Sequence, residues 1–150
     1  LAASEFSQVY SLDDPAMEQL STVDLSANRH LYRKIFTAHQ EQLLASCHDI
    51  SDGGLACALA EKLFTNQLGA SITVNNCSDN DLALLLFNEA PGQFVVSVAP
   101  KNQKEFEQLF TDNYQQLGTV TNLSTLTIKR GGEEVSVTTQ KLQSAWDGGL

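Results

Sequence analysis

The residues best suited to chemistry in this sequence lie in one run, His48-Asp49-Ile50-Ser51-Asp52-Gly53-Gly54. It follows a short apolar segment and precedes an Ala- and Leu-rich one. That order predicts a strand ending just before a helix begins. The first N–H groups of a helix have no partners inside it, and the helix dipole is positive at that end, so such a junction favours an anion. Gly53 and Gly54 would let a ligand approach the backbone closely. Asp49 and Asp52 add negative charge, which by itself repels a nucleotide. A Mg²⁺ ion between the carboxylates and the phosphates reverses that, because Mg²⁺ takes carboxylate, phosphate and water oxygens. Ser51 has two uses here, as a hydrogen-bond donor to a phosphate or as the helix N-cap. The same run is also ordinary turn and capping sequence, and His48 reads equally as a buried histidine hydrogen-bonded to backbone. His30 and His39 sit on a helix without metal-ligand spacing.

Several elements must position this run. Residues 5–10 are expected to form a strand and residues 12–23 a loop around Asp13-Asp14-Pro15. Asp24 is the expected N-cap of a long helix ending near Ala45, with Leu31, Ile35 and Ala38 inward and Tyr32, Phe36 and Leu43 widening the stripe. A strand over 46–50 leads into the polar run. A helix then runs from Gly54 to about Asn66 with Leu55, Leu59 and Leu63 on one face, and Gly69 closes it. Ile72 and Val74 mark the next strand, 79–87 a helical turn, and 93–98 a strand ended by Pro100. A helix over 102–112 buries Phe106, Leu109 and Phe110. Strands follow at 117–120, 126–130 and 135–138, the last two joined by a Gly131-Gly132 hairpin turn. Residues 141–146 form a terminal helical turn. Mixed helices and strands with an antiparallel pair late in the chain predict an α+β domain, with helices packed on a mixed, largely antiparallel sheet.

The 150 residues are the length of one domain, and 42% of them are apolar, enough for a sizeable core. The net charge is −9, from 18 acidic and nine basic residues. That sign argues against nucleic acid, whose binding rests on neutralising phosphates with Lys and Arg. No run reaches the ~18 apolar residues of a membrane span, and no signal-peptide pattern opens the chain. Cys47, Cys57 and Cys77 are odd in number and form no C-x-x-C pair, which argues against a disulfide framework and for a reducing cytoplasm. Cys57 reads as a small buried apolar residue. The chain opens at Leu1, which is the expected mark of a fragment of a longer protein.

His48 to Ala56, followed by Leu59-Ala60-Glu61, resembles a motif of the phosphoribosylformylglycinamidine synthases, relatives of aminoimidazole ribonucleotide synthetase and selenophosphate synthetase. Three more segments are similar to that family: Leu1-Ala2-Ala3-Ser4-Glu5-Phe6, the stretch from Leu86 to Val96, and Leu142-Gln143-Ser144-Ala145-Trp146. Ala2-Ala3 stands where the family has Gly-Gly, and Asn88 where it has Ser. The resemblance implies an ATP-dependent ligase that converts formylglycinamide ribonucleotide and ammonia to the amidine in purine biosynthesis. The ammonia comes from glutamine through a separate glutaminase subunit, with a small bridging subunit in the complex. This chain resembles the C-terminal domain, residues 1–150, partly ferredoxin-like in fold and packed against other domains of the same chain. The implied roles are Asp49 as Mg²⁺ ligand, Ser51 as contact to ATP or ADP with His48, Asp52, Gly53 and Gly54 beside it, and Asn88 and Glu89 at the substrate. The implied catalytic residues belong to other domains. Two alternatives remain: an interface domain of the same enzyme with no ligand of its own, and a selenophosphate- or hydrogenase-maturation-type relative.

Overall fold

A two-stranded antiparallel ribbon separates two apolar clusters, and the polar run leaves one end of it. The structure is a computed structural model that describes residues 4–10, 22–74, 79–111 and 113–148. In chain order the elements are α1 (Glu5–Tyr10), α2 (Leu25–Gln40), β1 (Leu44–Asp49), α3 (Gly54–Phe64), β2 (Gly69–Val74), α4 (Asp79–Phe87) and β3 (Phe94–Val98). A 3-10 turn, Pro100–Asn102, then leads into α5 (Gln103–Phe110), β4 (Gly118–Thr121), β5 (Thr125–Arg130), β6 (Glu133–Thr138) and α6 (Thr139–Asp147). The expected loop over 12–23, Cys77 and residues 1–3 fall wholly or largely outside the described residues.

Strands β1 and β3 form the ribbon, with His48 opposite Val95 and Asp49 opposite Phe94. The other four strands form a mixed sheet in the order β4-β2-β5-β6, parallel only between β2 and β5. The α+β class is as expected, but the strands divide into two sheets. Cross-strand pairs Lys129–Glu134 and Arg130–Glu133 flank the Gly131-Gly132 turn of the β5–β6 hairpin.

The larger cluster joins Leu55, Leu59 and Leu63 of α3 to Ala70, Ile72, Val74 and Leu126 of the mixed sheet, with Val95 packed against it. The second joins Ala38 and Leu43 to Phe106 and Phe110, with Leu31, Ile35, Val96 and Val98 against it. Successive side chains of β3 therefore serve opposite clusters, as the pleat requires. Alternation of Ile72 and Val74 with exposed Thr73 follows the same rule.

Asp24 caps α2 as expected, its carboxylate accepting from the Ser26 and Ala27 N–H groups at 2.9 Å. The helix ends at Gln40, short of Ala45. Gln42 takes the left-handed conformation (φ 55°), the Gln42 N–H bonds to the His39 carbonyl and the Leu43 N–H to the Ala38 carbonyl. This is a Schellman ending with glutamine in the glycine place, and Leu43 and Ala38 supply its apolar contact. Helix α3 ends the same way through Gln67 (φ 51°), so Gly69 opens β2 and does not close α3.

Three further expectations are corrected. Residues 5–10 are helical, because Ser7 donates its N–H to the Ser4 hydroxyl and its own hydroxyl to the Ser4 carbonyl at the helix start, and Phe6 stacks on Phe87 at 4.3 Å. Tyr32 and Phe36 remain 47% and 64% exposed and do not widen the buried stripe of α2. The terminal turn is a full helix, α6, capped by Thr138 and anchored by buried Thr139, whose hydroxyl donates to the Leu68 carbonyl at 2.6 Å.

Phe110 is 2% exposed and stacks on Phe106 at 4.4 Å. Phe110→Ala is expected to cost about 3–5 kcal/mol by leaving a cavity. Denaturant unfolding of the chain measures this, and a loss under 1 kcal/mol would show that α5 is not anchored by this ring.

Candidate functional site

Strand β1 ends at Asp49, and the Ile50 N–H closes the ribbon by donating to the Gln93 carbonyl at 2.9 Å. The pleat turns His48 toward α3 and Asp49 to the other face. The His48 ring is half-buried: Nδ1 lies 2.6 Å from the Asp49 carbonyl oxygen, and Nε2 lies 3.1 Å from Glu61 Oε2 on α3. The Asp49 side chain is 71% exposed, and its Oδ1 is 3.5 Å from the same Nδ1.

The turn into α3 uses two successive left-handed residues, Gly53 (φ 75°) and Gly54 (φ 66°). Both are glycine for reasons inside the fold. A Cβ on Gly54 would lie 2.7 Å from the Leu86 carbonyl oxygen and from Phe87 Cα, and a Cβ on Gly53 would collide with the Cys57 sulfur. Their N–H groups are also occupied. Gly53 donates to Glu89 Oε1 at 2.8 Å, and Gly54 donates to the Ser51 carbonyl at 2.9 Å. Glu89 Oε1 accepts the Glu5 N–H as well, at 3.0 Å. The N-cap of α3 is Gly53, without a side-chain cap, so Ser51 does not cap the helix.

Outside this turn lies an open cavity of about 550 Å³. Asp49, Ser51, Asp52 and Glu89 line it, with Tyr32, Pro91 and Phe94 forming an apolar side. The Tyr32 ring meets Phe94 edge-on at 5.7 Å. The structure thus brings four of the predicted site residues onto one surface. His48, Gly53 and Gly54 stand behind that surface and hold it. Asn88 is not in the lining, and its Oδ1 accepts the Ala90 N–H at 3.1 Å. An apolar groove of about 540 Å³ along α2 continues from the cavity, sharing Tyr32 and Pro91 and flanked by Arg29 and Arg33.

The cavity presents carboxylate and hydroxyl oxygens, which suit a hard cation. Among the described residues no group of three or more His, Cys, Asp or Glu side chains is assembled tightly enough to hold a metal alone. A Mg²⁺ ion here would draw further ligands from phosphate and water. Cys57 offers no nucleophile: burial pushes its thiol up from the ordinary range, and the Glu61 and Glu89 carboxylates push it further. Cys47 and Cys57 are both free thiols. The sequence marks Glu61 only as part of the family-like motif and Tyr32 only as an apolar helix residue, and it places neither of them nor Phe94 at the site. The available signal for Glu61 was a lone carboxylate amid the Ala and Leu of α3.

Residues 1–130 match the family model described as AIR synthase related protein, C-terminal domain. The chain belongs to this family. The match takes in the ribbon, the turn and the whole cavity lining. Among curated relatives, phosphoribosylformylglycinamidine synthase subunit PurL of Limosilactobacillus reuteri (strain DSM 20016) is 36% identical over 128 residues, covering 85% of this chain and 17% of that protein. The PurL subunit of Lactobacillus helveticus (strain DPC 4571) is 39% identical over 118 residues, covering 78% of this chain and 15% of that protein. The chain therefore spans only a small part of these relatives. Among solved structures, PurLQS from Thermotoga maritima superposes with a TM-score of 0.73 at 18% identity, covering 86% of this chain and 24% of that one. T. maritima PurL complexed with ATP gives 0.70 at 16% identity, covering 81% and 22%, and its complex with FGAR gives 0.68 at 16%, covering 81% and 21%. At these identities the structures establish a shared AIR synthase-related C-terminal fold.

Glu89→Ala is expected to release the Gly53 N–H and cost about 1–3 kcal/mol, the penalty for stranding a partly buried donor. Glu89→Gln, which keeps an acceptor, is expected to lose less. Amide exchange at Gly53 reports the bond directly, and unaltered protection in Glu89→Ala would show that another group holds the turn.

Proposed function

We propose that this chain is the C-terminal domain of a longer phosphoribosylformylglycinamidine synthase. The enzyme is an ATP-dependent ligase of purine biosynthesis that converts formylglycinamide ribonucleotide and ammonia to the amidine. Family membership and the names of the relatives support this reading. In it, the chain supplies one wall of a nucleotide–Mg²⁺ site. Asp49 is a cation ligand, Ser51 contacts ATP or ADP, and Asp52 lies beside them. His48, Gly53 and Gly54 support that wall from behind. Glu89, which faces the cavity, and neighbouring Asn88 form the substrate side. The partners are the other domains of the synthase, a glutaminase subunit that supplies ammonia and a small bridging subunit, and the complex works in the cytoplasm. The complexes of T. maritima PurL with ATP and with FGAR support the ligand classes. No described helix is long and apolar enough to cross a membrane.

One observation carries the site reading. Asp49, Ser51 and Asp52 open side by side onto one cavity, while the residues around them in the motif are spent on holding the turn. A second reading, an interface domain without a ligand, draws on the internal engagement of the Gly53 and Gly54 N–H groups.

The two readings separate in the full-length synthase. Under the site reading, Asp49→Ala weakens Mg²⁺·ADP binding about tenfold or more, equivalent to about 1.4 kcal/mol. Titration calorimetry with ADP and Mg²⁺ measures it. Binding and melting temperature both unchanged would leave only the interface reading.

A further inference from the structure

We propose that Glu61 is a positioning residue for the cation site: through His48 it sets the direction in which Asp49 presents its carboxylate. The proposal rests on the reading of Asp49 as a cation ligand.

Asp49 is the last residue of β1, and its side chain stands largely in solvent. A ligand so exposed would ordinarily sample several rotamers, and ordering it on cation binding costs conformational entropy. His48 limits that freedom. Its Nδ1 faces two oxygens of Asp49 together, the carbonyl at 2.6 Å and Oδ1 at 3.5 Å. The first contact restrains the backbone at the strand end, and the second sets the ring beside the carboxylate, where it limits the rotamers open to Asp49. The ring has to be held in turn. Its Nε2 lies 3.1 Å from Glu61 Oε2, so the ring is a strut between α3 and the end of β1. Both ring nitrogens lie within hydrogen-bonding distance of an oxygen, Nδ1 of the Asp49 carbonyl and Nε2 of Glu61.

Glu61 lies seven residues after Gly54, about two helical turns into α3. Its side chain is only 28% exposed, on a helix that carries no other acidic residue and a single Lys. A carboxylate in that setting needs a partner to offset its desolvation, and His48 is that partner. The chain of contacts runs from a half-buried carboxylate through an imidazole to an exposed carboxylate. Its logic is that of residues behind metal ligands, whose loss commonly costs about 10–100-fold in metal affinity.

The test uses the full-length synthase, with Mn²⁺ plus ADP as the probe and electron paramagnetic resonance as the readout. Glu61→Leu keeps bulk on α3 and removes the acceptor, whereas Glu61→Gln keeps an acceptor for the ring. Asp49→Ala reports on the site itself. The expected result is Mn²⁺·ADP affinity down about tenfold in Glu61→Leu, with the melting temperature held, and near wild type in Glu61→Gln. Wild-type affinity in Glu61→Leu beside a loss in Asp49→Ala would overturn the positioning role and leave the site standing. Equal losses in Glu61→Leu and Glu61→Gln would also overturn it, because the hydrogen bond to His48 would not be what matters. Unchanged binding in Asp49→Ala would remove the site reading and this inference with it. If Glu61→Leu and Glu61→Ala both fail to fold, Glu61 is structural and the inference falls.

Discussion

The carboxylate of Glu89, taking the Gly53 and Glu5 backbone N–H groups on one oxygen, is the contact on which the shape of this domain's polar end depends. Two consecutive left-handed glycines turn the chain sharply after Asp52, and the turn aims the Gly53 N–H inward. A buried donor without a partner would open such a turn, and a charged acceptor makes a stronger bond than a neutral one. The same oxygen draws the start of α1 to the end of α4, where Phe6 stacks on Phe87. Three segments distant in sequence therefore meet at one atom. With the turn closed from below, Asp49, Ser51 and Asp52 are left on the outer surface.

That arrangement changes what the helix start can offer a ligand. The simplest account of a Gly-Gly at a helix mouth is a cradle of free N–H groups for phosphate. Here the Gly53 N–H is spent on Glu89 and the Gly54 N–H on the Ser51 carbonyl. Opposite its apolar side the cavity is faced by the oxygens of Asp49, Ser51, Asp52 and Glu89, on a chain with a net charge of −9. On the proposed nucleotide reading, attraction for a polyphosphate at that surface comes from a cation. Glu61 and His48 brace the turn on one side and Glu89 on the other.

Beside this acidic turn the surface changes character. Tyr32 and Phe36 stand out from α2 beside Arg29 and Arg33, along a groove continuous with the cavity. Helix α2 is thus apolar on two sides. Leu31, Ile35 and Ala38 pack inward under the ribbon, while Tyr32 meets Phe94 at the ribbon's edge and Phe36 stands exposed. Periodicity treats both sides as one broad stripe, since rings and aliphatic side chains carry the same apolar signal.

Much of this was legible in the chain. The Ser-Asp-Gly-Gly turn between strand and helix, the Asp24 cap, the Leu55-Leu59-Leu63 face, the alternation of Ile72 and Val74, and the motifs that mark the family all rest on local spacing, and local spacing is what a sequence displays. Asp49, Ser51 and Asp52 were found together for that reason. Tertiary structure decided the rest. Residues 5–10 look like a strand, and they became a helix because Ser4, Phe87 and Glu89 gather at its start. Helices α2 and α3 ended early because Gln42 and Gln67 accept the left-handed conformation that glycine usually marks. The Gly53 and Gly54 N–H groups were already taken, and Glu61 acquired a partner 13 residues away. The two helix endings are local but lack the glycine that would mark them, and the Gly54 bond is local without a side-chain cap to mark it. The contacts of Glu89, Phe87 and Glu61 join segments brought together only by packing, and spacing along the chain carries no record of which distant oxygen a backbone N–H will meet.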